Sequence, residues 1–464
     1  MTMWVPDPAT LTRPAYKSLA QAIVLAINAG RLRPGERLPT HRALALRLGL
    51  SVQTVSRAYE KLIRDGFVTG AVGRGTFVKA SSGDPRTTPY QQLEADDPVI
   101  DCSMLTPVIG PLHRTAMDAA LADLSGRIPA EVLFSFRPRQ TLQRRVERAL
   151  PWLAGCGVAA RPERVLPTNG ATAAMTVALM TAAAPGEVVM AETMSHHTLK
   201  PLTEYLGLRM ASLAADEAGV LPDAVAAAHR ERGARVLYLM PAGNGPEATV
   251  MSPTRRAEIV AVARRHDLRI VENDAWGPLE PDRPPPLAAL APERAFYFTS
   301  LTKCLLPGLR IGWLVVPEAF VTAAFGRHLV SNWMATALIA EIGARWIADG
   351  TARRLLAWQR RQLARRNQLA QRALAGLPHR ANPHGLHVWL HLPAGWDERA
   401  FVNSARLRGV AITPASAFDT RAEVPTARGV RICLGAASEP ALAQALTTLA
   451  SLARNRPEPD FLTI

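Results

Sequence analysis

The chain has 464 residues, 48% of them hydrophobic, and a formal net charge of +15. That length and apolar content suit two or three globular domains. No run of about eighteen apolar residues occurs and Met1–Asp7 lacks a basic-then-apolar signal, so a membrane partner is not expected and the cytoplasm is the expected location. The four cysteines, Cys102, Cys156, Cys304 and Cys433, show no metal-ligand spacing and are read as reduced and structural, with no metal site.

The charge is unevenly spread. Residues 11–80 hold twelve Lys or Arg against three acids, a net +9, which suggests contact with a polyanion. Leu19, Ile23 and Ile27 follow the helical period as far as Gly30, and Pro34-Gly35 turns the chain. Thr40 can cap a second helix carrying Leu44 and Leu48. Gly49-Leu50-Ser51 is a tight turn, with Ser51 capping a third helix through Val55, Tyr59 and Leu62. Phe67-Val68 and Val72 to Val78 read as two short strands with a glycine-rich tip, a wing. Residues 80–99 lack periodicity, carry Pro, Ser and Gly, and read as a linker.

Beyond the linker, apolar runs at Val188–Met190, Val236–Met240, Leu268–Val271 and Leu314–Val316 alternate with helical stretches, which predicts a mainly parallel sheet covered by helices. The run Ala295–Thr299 reads as a buried parallel strand. Ser300 and Lys303 then fall at its carboxyl end, where open α/β sheets hold ligands. Lysine there can form a Schiff base, and Arg310 lies seven residues on. Together they look like a site for an aldehyde carrying a phosphate. From about residue 340 come an arginine-rich helix (Arg353 to Arg372) and strands at His387–Leu392 and Val430–Leu434, a smaller α+β portion.

The N-terminal segment resembles the GntR winged-helix family, through Gly35-Glu36-Arg37-Leu38-Pro39-Thr40-His41-Arg42, Ser51-Val52-Gln53-Thr54-Val55-Ser56-Arg57 and Gly73-Arg74-Gly75-Thr76-Phe77-Val78. The resemblance implies that the helix starting near Ser51 enters the DNA major groove, with Gln53, Thr54 and Arg57 toward bases or phosphates. Arg37, Arg42 and Arg74 would meet the backbone, with Thr40, Ser51 and Thr76 in the same surface. Val52 stands where the family often has arginine, so a guanine contact would be missing.

The remainder is similar to fold-type I aminotransferases, and the order of the two parts resembles the MocR subfamily of GntR regulators. The implied fold class is multi-domain. A winged helix-turn-helix (α+β, residues 1–79) precedes a linker (80–99) and an α/β aminotransferase-like domain (100–464) with a large subdomain at about 145–335 and a small one at about 336–464. The resemblance implies pyridoxal 5'-phosphate (PLP) on Lys303, its phosphate held by Ser300, Arg310 and the backbone of Gly170-Ala171-Thr172, and a carboxylate clamped by Arg431. It also implies a head-to-tail homodimer in which the Phe136-Arg137-Pro138 loop reaches the neighbour's phosphate.

Departures accompany these matches. Asn273 stands where an aspartate keeps the pyridine nitrogen protonated, and Trp276 stands where a tyrosine hydroxyl bonds the phenolic oxygen. Gly245 takes the place of an asparagine, with Asn244 one residue away. His196 replaces the aromatic that stacks on the ring, and Phe136 replaces a tyrosine. Asp274, the adjacent carboxylate, would serve the ring nitrogen only in a slipped register. Retained anchors with an altered electronic apparatus point to a DNA-binding regulator that senses PLP or an amino-acid-like or other anionic small-molecule effector. A working aminotransferase with an appended DNA-binding module, and a PLP-free regulator, stay open alternatives.

Overall fold

The protein is described by a computed structural model covering residues 4–8, 11–28, 31–33, 35–64, 67–71, 75–78, 99–421 and 429–455. The wing tip with Arg74, and the expected linker apart from its last residue, lie outside these. The chain forms two compact units, one up to Asp97 and one from Pro98 to Pro457.

In the first unit, helices α1 (Ala15–Asn28), α2 (His41–Leu48) and α3 (Val52–Arg64) precede strands β1 (Val68–Ala71) and β2 (Gly75–Val78). Thr40 caps α2, its hydroxyl accepting the Ala43 N–H at 3.3 Å, and Gly49 ends it at φ 63°, a left-handed turn that glycine adopts without strain. Ser51 likewise accepts the Thr54 N–H at 3.1 Å ahead of α3. The apolar stripes meet in one core containing Leu19, Ile23, Leu44, Val55, Tyr59 and Leu62. Tyr59 donates its hydroxyl to the Pro39 carbonyl at 2.8 Å, tying α3 to the start of α2. The two strands pair antiparallel, Val68 opposite Val78.

The second unit is built on a seven-stranded sheet. Its spatial order is Val165–Thr168, Gly312–Val315, Ala295–Ser300, Arg269–Asn273, Val236–Leu239, Val188–Glu192 and Arg209–Leu213. Only Gly312–Val315 runs antiparallel to its neighbours, so the sheet is mainly parallel, as the apolar runs predict. Both faces are buried, one beneath a core with Leu237, Ile270 and Tyr297, the other beneath a core with Tyr238, Val271 and Phe298. Successive residues of a strand therefore enter different environments.

A smaller antiparallel sheet orders His379–Ala381, His387–His391, Gly429–Cys433 and Thr413–Pro414. Its core includes Val388, Ile432 and residues of the Glu398–Leu407 and Glu439–Arg454 helices. One feature departs from the expected subdivision. Ile100–Asp101 pairs in parallel with Val410–Ala411, so the first described stretch of this unit belongs with the small subdomain. From there the chain passes Leu105, whose carbonyl meets Lys303, and enters the Pro111–Leu124 helix.

Candidate ligand site and DNA-binding surface

In the first unit, Arg37, Thr40, Arg42, Ser51, Gln53 and Arg57 are exposed and Thr54 is half-buried. Thr54 shares a hydrogen bond with the Ser51 hydroxyl at 2.8 Å, and the Arg57 guanidinium lies 4.5 Å over the Tyr16 ring. Arg37 packs over Gly75, where an added Cβ would come within 2.7 Å of the guanidinium. Thr76 differs from the expectation. Its side chain is buried on the inward face of β2, since alternate residues of the strand face the core.

In the second unit, Ser300 is the last residue of the Ala295–Ser300 strand, fully buried, and its hydroxyl oxygen has no hydrogen-bond partner. Lys303 follows in the turn. Arg310 is held at φ 37°, and its guanidinium lies against Gly170, where a Cβ would come within 3.0 Å. Gly170 itself adopts φ 80°, so conformation and close approach both favour glycine. It opens the Gly170–Ala182 helix, and the Asn169 side chain does not cap that helix. The side chain instead accepts from Thr336 N–H at 2.9 Å. The first-turn N–H groups of Gly170, Ala171 and Thr172 have no intrahelical acceptors and lie at the helix end that Arg310 packs against, an arrangement suited to an anion.

The Lys303 ammonium donates to the carbonyl oxygen of Leu105. Burial, then the nearby Arg431 and also Arg310, push its pKa from 10.5 to about 8. Arg431 donates to the Ser103 carbonyl at 3.0 Å and lies 4.6 Å over the Phe418 ring, while its Nε has no partner. Among the described residues neither Arg310 nor Arg431 makes an ion pair. Among the described residues three cationic side chains thus gather without a compensating carboxylate, an arrangement that favours an anionic ligand.

Asn273 is buried on the face of the sheet shared with Tyr238, to whose hydroxyl its Nδ2 donates at 2.7 Å. Its Oδ1 accepts from Ala275 N–H at 3.0 Å and from Asn244 Nδ2 at 3.4 Å. The Asn244 amide also donates to the Asn273 carbonyl at 2.9 Å, so this donor is turned toward the strand end. Asp274 does not slip into the place of Asn273. It bonds Arg283 and the Tyr297 hydroxyl, with Tyr297 in the core on the other face of the sheet.

His196 lies near Lys303 and Arg431, and burial, then His197 and these two cations, hold its pKa well below the usual value. Its Nδ1 faces the Thr198 hydroxyl at 2.8 Å. Trp276 is buried with its ring edge-on to His387, centroids 5.5 Å apart. His387 shares a face of the small sheet with Arg431 and Cys433. Its Nε2 donates to the Pro246 carbonyl at 2.9 Å, and burial, then Arg431, hold its pKa at about 3, so the ring is neutral. Phe136 is 81% exposed, and its carbonyl accepts from Trp333 Nε1 at 3.2 Å.

Sequence reasoning missed Leu105, Ser103, Tyr238 and His387. Tyr238 and His387 sit in apolar runs legible only as strands, and Leu105 and Ser103 act through backbone carbonyls. A phosphate-bearing aldehyde fits the residues present. The unpartnered Ser300 hydroxyl, the Arg310 guanidinium and the helix start suit its phosphate, and the depressed Lys303 amine suits its carbonyl.

Comparison with known proteins bears on the architecture of the two units. The chain is 27% identical over 435 residues to the HTH-type transcriptional regulator YdeF of Bacillus subtilis, covering 92% of each. It is 26% identical over 410 residues to the HTH-type pyridoxine biosynthesis transcriptional regulator PdxR of Corynebacterium glutamicum, 86% of this chain and 88% of that one. Among solved structures, an archaeal alanine:glyoxylate aminotransferase superposes with a TM-score of 0.70 at 20% identity, over 92% of this chain and 97% of that one. The α-aminoadipate aminotransferase LysN of Thermus thermophilus gives 0.68 at 22% identity, over 77% and 92%. Residues 15–78 match the bacterial regulatory proteins of the gntR family, and residues 135–449 match aminotransferase class I and II. The chain therefore belongs to the class I and II aminotransferase family and, with its gntR-type DNA-binding unit, has the MocR architecture of a transcriptional regulator.

Proposed function

We propose that the aminotransferase-like unit is the sensor of this regulator, holding PLP through Lys303 and responding to PLP, an amino-acid-like compound or another small anion with very slow turnover. The observation that carries this reading is the gathering of Lys303, Arg310 and Arg431 near the Ser300 hydroxyl with, among the described residues, no partner for that hydroxyl and no opposing carboxylate. When bound, PLP supplies an aldehyde that joins amines and a ring that draws electrons from the attached carbon. Ser300, Arg310 and the Gly170–Thr172 backbone would hold the phosphate, and Arg431 would orient a carboxylate. Asn273 cannot supply the negative charge that keeps a ring nitrogen protonated, which weakens carbanion chemistry and gives up part of the binding while the Lys303 and phosphate anchors remain.

The site would be completed by a second copy. Leu133, Phe134, Phe136, Val330 and Trp333 are large apolar side chains at least half exposed in the single chain, and such residues are enriched at interfaces. A head-to-tail pair would cover them and carry Phe136 to the neighbour's phosphate end. A second reading, a PLP-free anion sensor, has one observation in its favour: Lys303 and Arg431 already bond the Leu105 and Ser103 carbonyls.

The reading is tested by operator affinity of the intact protein with and without PLP, in the natural sequence and in Lys303→Ala. A PLP-dependent change that the variant loses supports it. A PLP response unaltered by the variant contradicts it.

A further inference from the structure

The arginine-rich helix Thr351–Ala373 holds seven arginines and no acidic residue. Four have protein partners, one of them local: Arg354 donates to the Thr351 hydroxyl at 2.7 Å one turn before it. Arg366 is buried and donates to the Leu434 and Ala437 carbonyls, Arg360 donates to the Pro278 and Leu279 carbonyls, and Arg365 pairs with Glu439 at 3.0 Å. Among the described residues Arg353, Arg354, Arg361 and Arg372 meet no carboxylate, and all four are exposed.

Their placement is ordered. At about 100° per residue, Arg354, Arg361, Arg365 and Arg372 fall within roughly 40° of one another, opposite the buried Leu356, Leu363 and Ala370. At about 1.5 Å per residue the stripe is roughly 27 Å long. It is also unfavourable for the helix alone. Arg353 and Arg354 lie in the first turn, where the helix dipole disfavours cations, and Arg361 and Arg365 repel at i,i+4 spacing. A merely solvated face would be expected to interleave Glu with Arg, whereas the exposed positions between these arginines are Ala357, Gln368 and Gln371.

We propose that the exposed arginine stripe Arg354–Arg361–Arg372 is a second DNA contact, binding the phosphate backbone of duplex flanking the operator. A straight row of cations about 27 Å long suits a rod of regularly spaced phosphates, and arginine forks match phosphate oxygens. The gntR-type unit on the same chain raises the local concentration of duplex, so weak flanking contacts add to operator affinity. The inference rests on DNA binding by that unit.

The test uses the full-length protein, a duplex selected from a random pool and trimmed to the footprint of the gntR-type unit, and the same duplex extended by several helical turns. The expected result is tighter, more salt-dependent binding of the extended duplex. The triple variant Arg354→Gln, Arg361→Gln, Arg372→Gln should lower that salt slope by about 2.7, at about 0.9 per phosphate contact. Lysine at the same positions should retain it. On the trimmed duplex the glutamine variant should bind like the unaltered protein, which also shows that the gntR-type unit is intact. An extended duplex that gains nothing, an unchanged slope in the variant, or an equal loss on both duplexes would overturn the proposal. An acidic protein surface as the true partner would give the second outcome.

Discussion

Asn273 donates its side-chain amide to the Tyr238 hydroxyl at 2.7 Å, both residues buried at the carboxyl ends of adjacent strands. The bond uses one Nδ2 hydrogen while Oδ1 meets the Ala275 N–H, so the second Nδ2 hydrogen is what the amide has left to offer an acceptor. A pyridine nitrogen opposite that donor would be held unprotonated. Asn273→Asp should therefore strengthen PLP binding, shift the visible absorbance and raise half-transamination by about tenfold or more. Rapid-mixing absorbance with a panel of amino acids measures this, and an unchanged rate would remove Asn273 as the limiting feature.

Tyr238→Phe removes the acceptor of a buried N–H and should lower stability by about 1–3 kcal/mol. Denaturant unfolding checks the cost. DNA binding by the separate N-terminal unit should be unaffected.

Capture of PLP by Lys303 should show an unusual pH profile. With a pKa near 8, about a tenth of the amine is neutral at pH 7, against about one part in three thousand for an ordinary lysine. The capture rate should rise with pH and level off above about pH 8. A rate still climbing at pH 10 would contradict the depressed pKa.

Two carboxyls, Glu272 buried and Glu192 half-buried, give a pH dependence of opposite origin to that of most acids. Burial raises Glu192 to about 8 and Glu272 to about 7, from 4.5. Their folded values lie above the unfolded one, so their contribution is fully present below about pH 4.5 and lost as pH rises toward 8. Glu192→Gln should flatten the decline in melting temperature between pH 5 and 8, about the window set by these values, and a slope equal to that of the unaltered protein would exclude Glu192 as its source.

On DNA, Arg42→Gln should weaken binding across all sequences and lower the salt slope by about one, whereas Gln53→Ala should change sequence preference with little effect on the slope. Competition binding with a randomised duplex pool separates the two behaviours.

The strand ending at Ser300 and the lysine just beyond it were legible because a buried apolar run is a strong strand signal and the ligand end of a parallel sheet follows from chain direction. The caps at Thr40 and Ser51 were legible for a similar local reason. The Lys303–Leu105 and Arg431–Ser103 bonds were not, since they join positions 198 and 328 residues apart through carbonyls present in every residue. Tyr238 was hidden because a buried tyrosine in an apolar strand reads as core. Thr76 was misplaced because motif position gives no face, and only the pairing of β1 with β2 turns it inward.

The most direct measurement is borohydride reduction of the PLP-saturated intact protein followed by peptide mapping. The account predicts a visible band before reduction, a single pyridoxyl label on Lys303, and neither band nor label in Lys303→Ala. Saturation that yields no visible band and no label on Lys303 would contradict the account and leave the PLP-free sensor as the reading to pursue.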